Sequence, residues 1–153
     1  DEQLGVKREQ ITAKPVTHTG DCLLTGVTGF LGIHLLFDLL KRTANDVHVL
    51  IRVENKVEFK QTAALERLRQ KVAEAELDLS EVEWQRVRVV VGSLDEEMLG
   101  LTPLLFQTLA ATVSTIYHCG ALVNWIYGYG ACRGPNVLSL IPLLYLASYP
   151  LAP

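Results

Sequence analysis

Three glycines, Gly26, Gly29 and Gly32, recur at intervals of three where the apolar run Leu23-Leu24-Thr25 gives way to a helical stretch. That pattern suits the capture of an anion. Glycine permits a tight bend and lets the main chain approach a ligand closely. A helix opening at the same point directs its free N–H groups and the positive end of its dipole at the ligand. A side chain at Gly26 or Gly29 is expected to obstruct the approach. The chemistry is that of a pyrophosphate cradle, so the turn reads as a dinucleotide site, with a purely structural turn as the alternative.

Arg52 is the second chemically informative residue. It closes the run Val47-His48-Val49-Leu50-Ile51, about twenty residues beyond the glycine turn, where an NAD-selective fold carries Asp or Glu. A carboxylate there accepts hydrogen bonds from a ribose 2′-hydroxyl and repels a 2′-phosphate, whereas a guanidinium can clamp the phosphate with two charge-assisted bonds. Arg52 therefore points to NADP(H). The competing reading is a surface arginine paired with Glu54. Arg67 is a candidate second cation for the same phosphate, or an exposed helical arginine beside Glu66.

The elements that must position these groups alternate as strand and helix, the signature of a parallel sheet covered by helices. Strands are expected over 21–25, 47–52, 87–92 and 115–119. The first helix runs from Phe30 to Arg42 and ends in two cations suited to a helix C-terminus. A long helical insertion, about 58–77, carries Leu65, Leu68 and Val72 as one apolar stripe. Thr102-Pro103 reads as an N-cap with proline in the first turn, opening a helix to about residue 113. Residues 1–20 read as a linker or lead-in, and 21–153 as one domain.

The 153 residues are 49% hydrophobic, ample for one sizeable core, and carry a net charge of −3. With cations scattered among acids, nucleic acid is not an expected partner. Cys22, Cys119 and Cys132 have no metal-ligand spacing and cannot all pair, so no metal site is expected; they read as small core residues in a reduced, cytoplasmic compartment. The stretch 134–153 carries no charge, yet Pro135, Pro142 and Pro150 interrupt it. A buried helix is expected there rather than a membrane span.

His118, at the end of the fourth strand, could serve as a general base or be a satisfied structural residue. Asn124 is a polar group near the expected cleft. Asn136 has two readings, a proton-relay asparagine within a helix and a helix cap after Pro135.

Taken in order, the glycine turn, Val49-Leu50-Ile51-Arg52, Arg67-Leu68-Arg69, Val89-Val90-Val91-Gly92-Ser93-Leu94, Leu99-Gly100-Leu101, Ile116-Tyr117-His118-Cys119-Gly120-Ala121-Leu122-Val123-Asn124 and Arg133-Gly134-Pro135-Asn136-Val137 resemble the thioester reductase family. These are extended short-chain dehydrogenase/reductase domains found in nonribosomal peptide synthetases, polyketide hybrids, aminoadipate reductases and carboxylic acid reductases. The resemblance implies an α/β, Rossmann-like parallel sheet with flanking helices, truncated at about four strands. It also implies NADPH-dependent release of an acyl chain, held as a thioester on the phosphopantetheine arm of an acyl or peptidyl carrier protein, as aldehyde or alcohol.

Position by position, the resemblance places Gly26, Thr28, Gly29, Phe30, Leu31 and Gly32 around the pyrophosphate, and Arg52 with Arg67 at the 2′-phosphate. Ser93 and Leu94 fall beside the adenine. Cys119, Gly120 and Ala121 fall along the ribose and nicotinamide side, and Asn136 falls in the proton relay. His118 is not the family's base.

Two departures stand out: Ser93 replaces the usual aspartate, and Pro142 lies inside the helix that should follow Asn136. The family's Ser or Thr, Tyr and Lys, the last two at Y-x-x-x-K spacing, are not found, since no lysine follows Lys71. The chain therefore reads as the N-terminal, cofactor-binding part of a reductase domain, a proteolytic fragment or a naturally shortened form, inactive by itself. An open sheet edge at the fourth strand should then drive self-association. A non-catalytic scaffold or carrier-docking remnant is the second function class.

Overall fold

A computed structural model of the chain describes residues 20–54 and 59–148. The lead-in expected over 1–20 lies outside the described residues, apart from Gly20. Four strands, β1 (Asp21–Thr25), β2 (Val47–Ile51), β3 (Val87–Val91) and β4 (Val113–His118), form one sheet in the order β3-β2-β1-β4. All three pairings are parallel, with Leu24 opposite both Val49 and Tyr117, and Val49 opposite Val89. The fold is the Rossmann-like α/β arrangement expected. The chain steps from β1 to β2 and β3 on one side, then crosses back to β4 on the other. This reversal opens a crevice between the carboxyl ends of β1 and β4.

Period-two alternation sends neighbouring strand residues to opposite faces. Leu24, Val49 and Ile51 pack with Ile33, Leu36 and Leu40 of α1 (Phe30–Arg42) and with Leu68 of α2 (Lys60–Glu74). A four-residue helix, α3 (Glu81–Trp84), follows on its Ser80–Glu83 capping box. On the other face, Leu23, Leu50 and Val90 pack with Leu109 of α4 (Pro103–Thr112) and Leu146 further on. Burial on both faces explains why the strands are near-continuous apolar runs.

Local signals place the helices. Thr102 Oγ1 accepts the Leu105 N–H at 3.3 Å and caps α4, with Pro103 in its first turn. Arg86 donates to the carbonyls of Leu40, Thr43 and Asn45, holding a cation at the C-terminal end of α1.

The structure corrects several expectations. The apolar stripe of α2 is Ala64, Leu68 and Val72, one turn of a helix placing Ala64 rather than Leu65 against the sheet. β4 runs from Val113, directly after α4, to His118, and β2 and β3 end one residue early, at Ile51 and Val91. Cys22 is a core residue, Cys119 is half-buried against the same core, and Cys132 is half-buried outside it; all three thiols are free.

The uncharged stretch is not a uniformly buried helix. After α5 (Tyr129–Arg133), its described part passes through a π-helical turn at Gly134–Leu138 and α6 (Leu140–Ser148). Leu143 and Leu146 are buried, while Leu140 and Leu144 are 41% and 48% exposed. The π turn widens the helix just before Pro142, whose missing N–H could not have extended a regular ladder there. No described helix is long and apolar enough to cross a membrane.

Candidate functional site

The glycine turn does three different jobs. Gly26 adopts a left-handed φ of +70°, and a Cβ there would lie 2.5 Å from the Gly120 nitrogen and the Cys119 carbonyl carbon. Gly32 has no room either, because its Cβ would meet the Gly26 carbonyl oxygen at 2.2 Å. These two glycines let β1, the start of α1 and the exit of β4 touch. Gly29 has extended backbone with only one tight contact, 3.3 Å to the Gly26 oxygen, and stands at the N-cap of α1 without a side-chain cap. Protein groups thus explain Gly26 and Gly32, while Gly29 leaves the α1 amides open to an external acceptor.

Thr25 ties the same junction from within. Its hydroxyl is fully buried, accepts the Gly120 N–H at 3.2 Å, and lies 2.7 Å from His118 Nδ1. The hydroxyl keeps one proton and a second lone pair for His118, so it donates to Nδ1 or accepts from an Nδ1–H according to the tautomer of the ring. Partial desolvation of the ring holds the His118 pKa below its ordinary value. Of the two readings of His118, the structure favours the satisfied structural residue.

A cleft of about 240 Å³ opens at the carboxyl ends of the strands. Gly26 and Thr28 line it from the glycine turn, Arg52 from β2, Ser93 and Leu94 from β3, and Gly120, Ala121 and Leu122 from β4. Arg67 reaches it from α2, donating from Nη1 to the Arg52 carbonyl at 3.0 Å. Arg67 is therefore not a solitary surface residue, and Arg52 does not pair with Glu54. The Arg52 partner is Asp95, with Nη1 and Oδ2 3.4 Å apart. Asp95 was not among the residues expected here; its place two residues beyond Ser93 in a post-strand loop was the available signal.

Other expected residues stand outside the cleft wall. Phe30 and Leu31 are 84% and 65% exposed, and the Phe30 ring packs edge-on against His34. Gly29, Gly32 and Cys119 do not line the cleft. Their contribution there is main chain and packing.

Asn136 directs its side-chain amide at the main chain of Leu122. Its Oδ1 accepts the Leu122 N–H at 2.6 Å and its Nδ2 donates to the Leu122 carbonyl at 2.9 Å. This two-point clamp imitates a strand pairing and fixes Leu122 at the cleft. Asn124 folds its Oδ1 back onto the N–H groups of Ile126 and Tyr127.

Ser93 is buried and accepts the Asp95 N–H at Oγ, 3.3 Å away. Its own N–H donates to the Leu99 carbonyl at 2.9 Å. Leu99 is fully buried at φ 61°, between Met98 at 49° and Gly100 at 70°. Such a left-handed run is costly for non-glycine residues and persists here through the burial of Leu99.

The donor set suits an anionic dinucleotide: two guanidinium groups and an uncapped helix start. Among the described residues lining the cleft, Asp95 is the one acid and works against an anion. Among the described residues no cluster of His, Cys, Asp or Glu could hold a metal ion.

Residues 24–150 match the family described as Male sterility protein, an NAD-binding domain. A linear gramicidin synthase of Brevibacillus parabrevis is 43% identical over 126 residues, which cover 82% of this chain and 2% of that protein. The L-2-aminoadipate reductase of Saccharomyces cerevisiae is 37% identical over 130 residues, covering 85% of this chain and 9% of that protein. The terminal R domain from the myxalamid PKS-NRPS biosynthetic pathway superposes with a TM-score of 0.82 at 34% identity, covering 96% of this chain and 38% of that one. The chain thus spans under a tenth of these two curated relatives and under half of the solved reductase domain.

Proposed function

The chain belongs to the Male sterility protein family of NAD-binding domains, alongside the reductase domains of nonribosomal peptide synthetases and aminoadipate reductases, and from that premise we propose that it binds NADPH for the reductive release of a carrier-bound acyl thioester. The observation that carries the reading is the convergence of Arg52 and Arg67 on the cleft that the glycine turn also lines. Two cations at the far end of β2 suit a 2′-phosphate, and the α1 amides at Gly29 suit the pyrophosphate.

When bound, the nucleotide supplies a hydride to the thioester carbonyl, and with one proton the products are an aldehyde, a free carrier thiol and the oxidised nucleotide. The residues of this chain hold and orient. Thr25 fixes the β1 and β4 exits, the Asn136 clamp sets Leu122, and Gly120 and Ala121 present main chain to the ribose side. Beyond Leu122 the loop exposes Val123, Trp125 and Ile126, an apolar rim suited to an acyl chain on its phosphopantetheine arm. Among the described residues β4 pairs with β1 alone. Its outer edge suits a further strand or a second copy.

Titration of the chain with NADPH and NADH tests the reading. NADPH should bind more tightly, and Arg52→Ala should weaken it about tenfold or more through loss of a charge-assisted contact while leaving NADH nearly unchanged. Equal binding of the two nucleotides, or an Arg52→Ala variant that keeps the preference, would overturn it.

A further inference from the structure

Arg52 is not free to meet an anion. The Asp95 carboxylate stands 3.4 Å from its Nη1, and both residues line the same cleft. Neither position is accidental in the fold. The Arg52 main chain is pinned by Arg67, and Asp95 is carried on the turn anchored by buried Ser93. The pair is solvent-exposed, with 72% of the arginine side chain and 47% of the aspartate side chain accessible. Ion pairs so exposed are weak, so this one yields to a stronger anion rather than sealing the site.

We infer that Asp95 is a specificity-determining residue: it competes with the 2′-phosphate of the cofactor for Arg52 and so narrows the preference for NADPH over NADH. The inference rests on the reading that Arg52 receives the 2′-phosphate. A phosphomonoester brings about −1.5 to −2 of charge at neutral pH, must displace the carboxylate, and is repelled by it afterwards. NADH brings only a 2′-hydroxyl, which is uncharged and can donate a hydrogen bond to Asp95. One carboxylate thus penalises one cofactor and tolerates the other. No other acid has this place among the described residues lining the cleft. Glu96 and Glu97 follow in sequence but line a separate apolar cavity on the far side of the Leu94-Asp95 wall.

The test is equilibrium titration of the full chain with NADPH, NADH and adenosine 2′,5′-bisphosphate at fixed ionic strength. Asp95→Asn, which keeps shape and removes charge, should tighten NADPH and the bisphosphate about three- to tenfold and change NADH by less than about twofold. Glu97→Gln removes an equal charge outside the cleft and should leave all three within about twofold. Asp95→Asn failing to tighten NADPH overturns the inference, as does an equal gain for NADH. A matching gain in Glu97→Gln also overturns it, because the effect would then be a diffuse field rather than competition for Arg52. Arg52→Ala separates the two claims. If it leaves NADPH binding intact, the 2′-phosphate reading itself fails and the inference falls with it. If it abolishes the preference while Asp95→Asn does nothing, only the inference fails.

Discussion

Two cavities share the Leu94-Asp95 wall and differ in almost every other respect. The smaller, about 240 Å³, lies at the carboxyl ends of parallel strands and gathers two arginines, a glycine turn and open main chain. The larger, about 600 Å³, lies between α4, the π turn and α6, and is lined mainly by apolar side chains such as Phe106, Ile141 and Tyr145. Volume alone would choose the larger. Chemistry chooses the smaller, because groups drawn from four different elements point one set of charges and dipoles at one place, and because the strand order reverses there.

That contrast breaks most visibly at the glycines. Gly26→Ala should cost about 3–5 kcal/mol of stability, from a strained φ and a backbone clash, read as a large fall in the denaturation midpoint. Gly29→Ala, with extended backbone and one tight contact, should cost less than about 1 kcal/mol yet still weaken nucleotide binding. If both variants lost binding only by unfolding, the turn would be structural and the smaller cavity would lose its claim.

Thr25→Val should destabilise the chain by about 1–3 kcal/mol, because the buried Gly120 N–H loses its acceptor. The loss should reach nucleotide binding through Gly120 and Ala121. A variant that unfolds earlier but binds normally would show that the junction supports the fold alone.

Partial burial of His118, the ring beside that hydroxyl, gives a pH dependence. The folded-state pKa of His118 is depressed, so below about pH 6.5 the unfolded chain binds more protons than the folded one, and the contribution is full above that value and lost as pH falls through the folded pKa. Denaturation midpoints measured from pH 8 to pH 5 should fall at the acid end, and His118→Gln should flatten that part of the curve. A fall unchanged in His118→Gln would assign it to other groups.

The smallest effect belongs to the larger cavity. Tyr145→Ser, at a side chain partly exposed on α6, should change stability by under about 1 kcal/mol and leave NADPH titrations unaltered. A clear loss of NADPH binding would couple the two cavities and weaken the distinction between them.

Local regularities made much of the molecule legible in advance. The bounds of β1 and α1, the Thr102 cap and the glycine turn follow from periodicity and capping chemistry, which act over a few residues. The cleft-lining positions of Gly26, Thr28, Arg52, Ser93, Leu94, Gly120 and Ala121 were legible because each sits at a strand end or in the glycine turn, and that of Arg67 through the ordered family motifs. Asp95 was not, since its role depends on a partner 43 residues away. The contacts of Asn136 were hidden for the same reason, its amide meeting Leu122 across a loop that no spacing rule describes.

The sequence by itself determined the alternating elements, the parallel sheet and the anion-seeking turn, because each is written in contacts between near neighbours. Tertiary structure decided which glycines packing requires, Gly26 and Gly32, and which it leaves with room, Gly29. It also decided that His118 answers to Thr25 and that Arg52 already has a carboxylate beside it. Those outcomes depend on ångström-scale distances between strands and loops far apart in the chain, and such distances are fixed only when the cores on both faces of the sheet close.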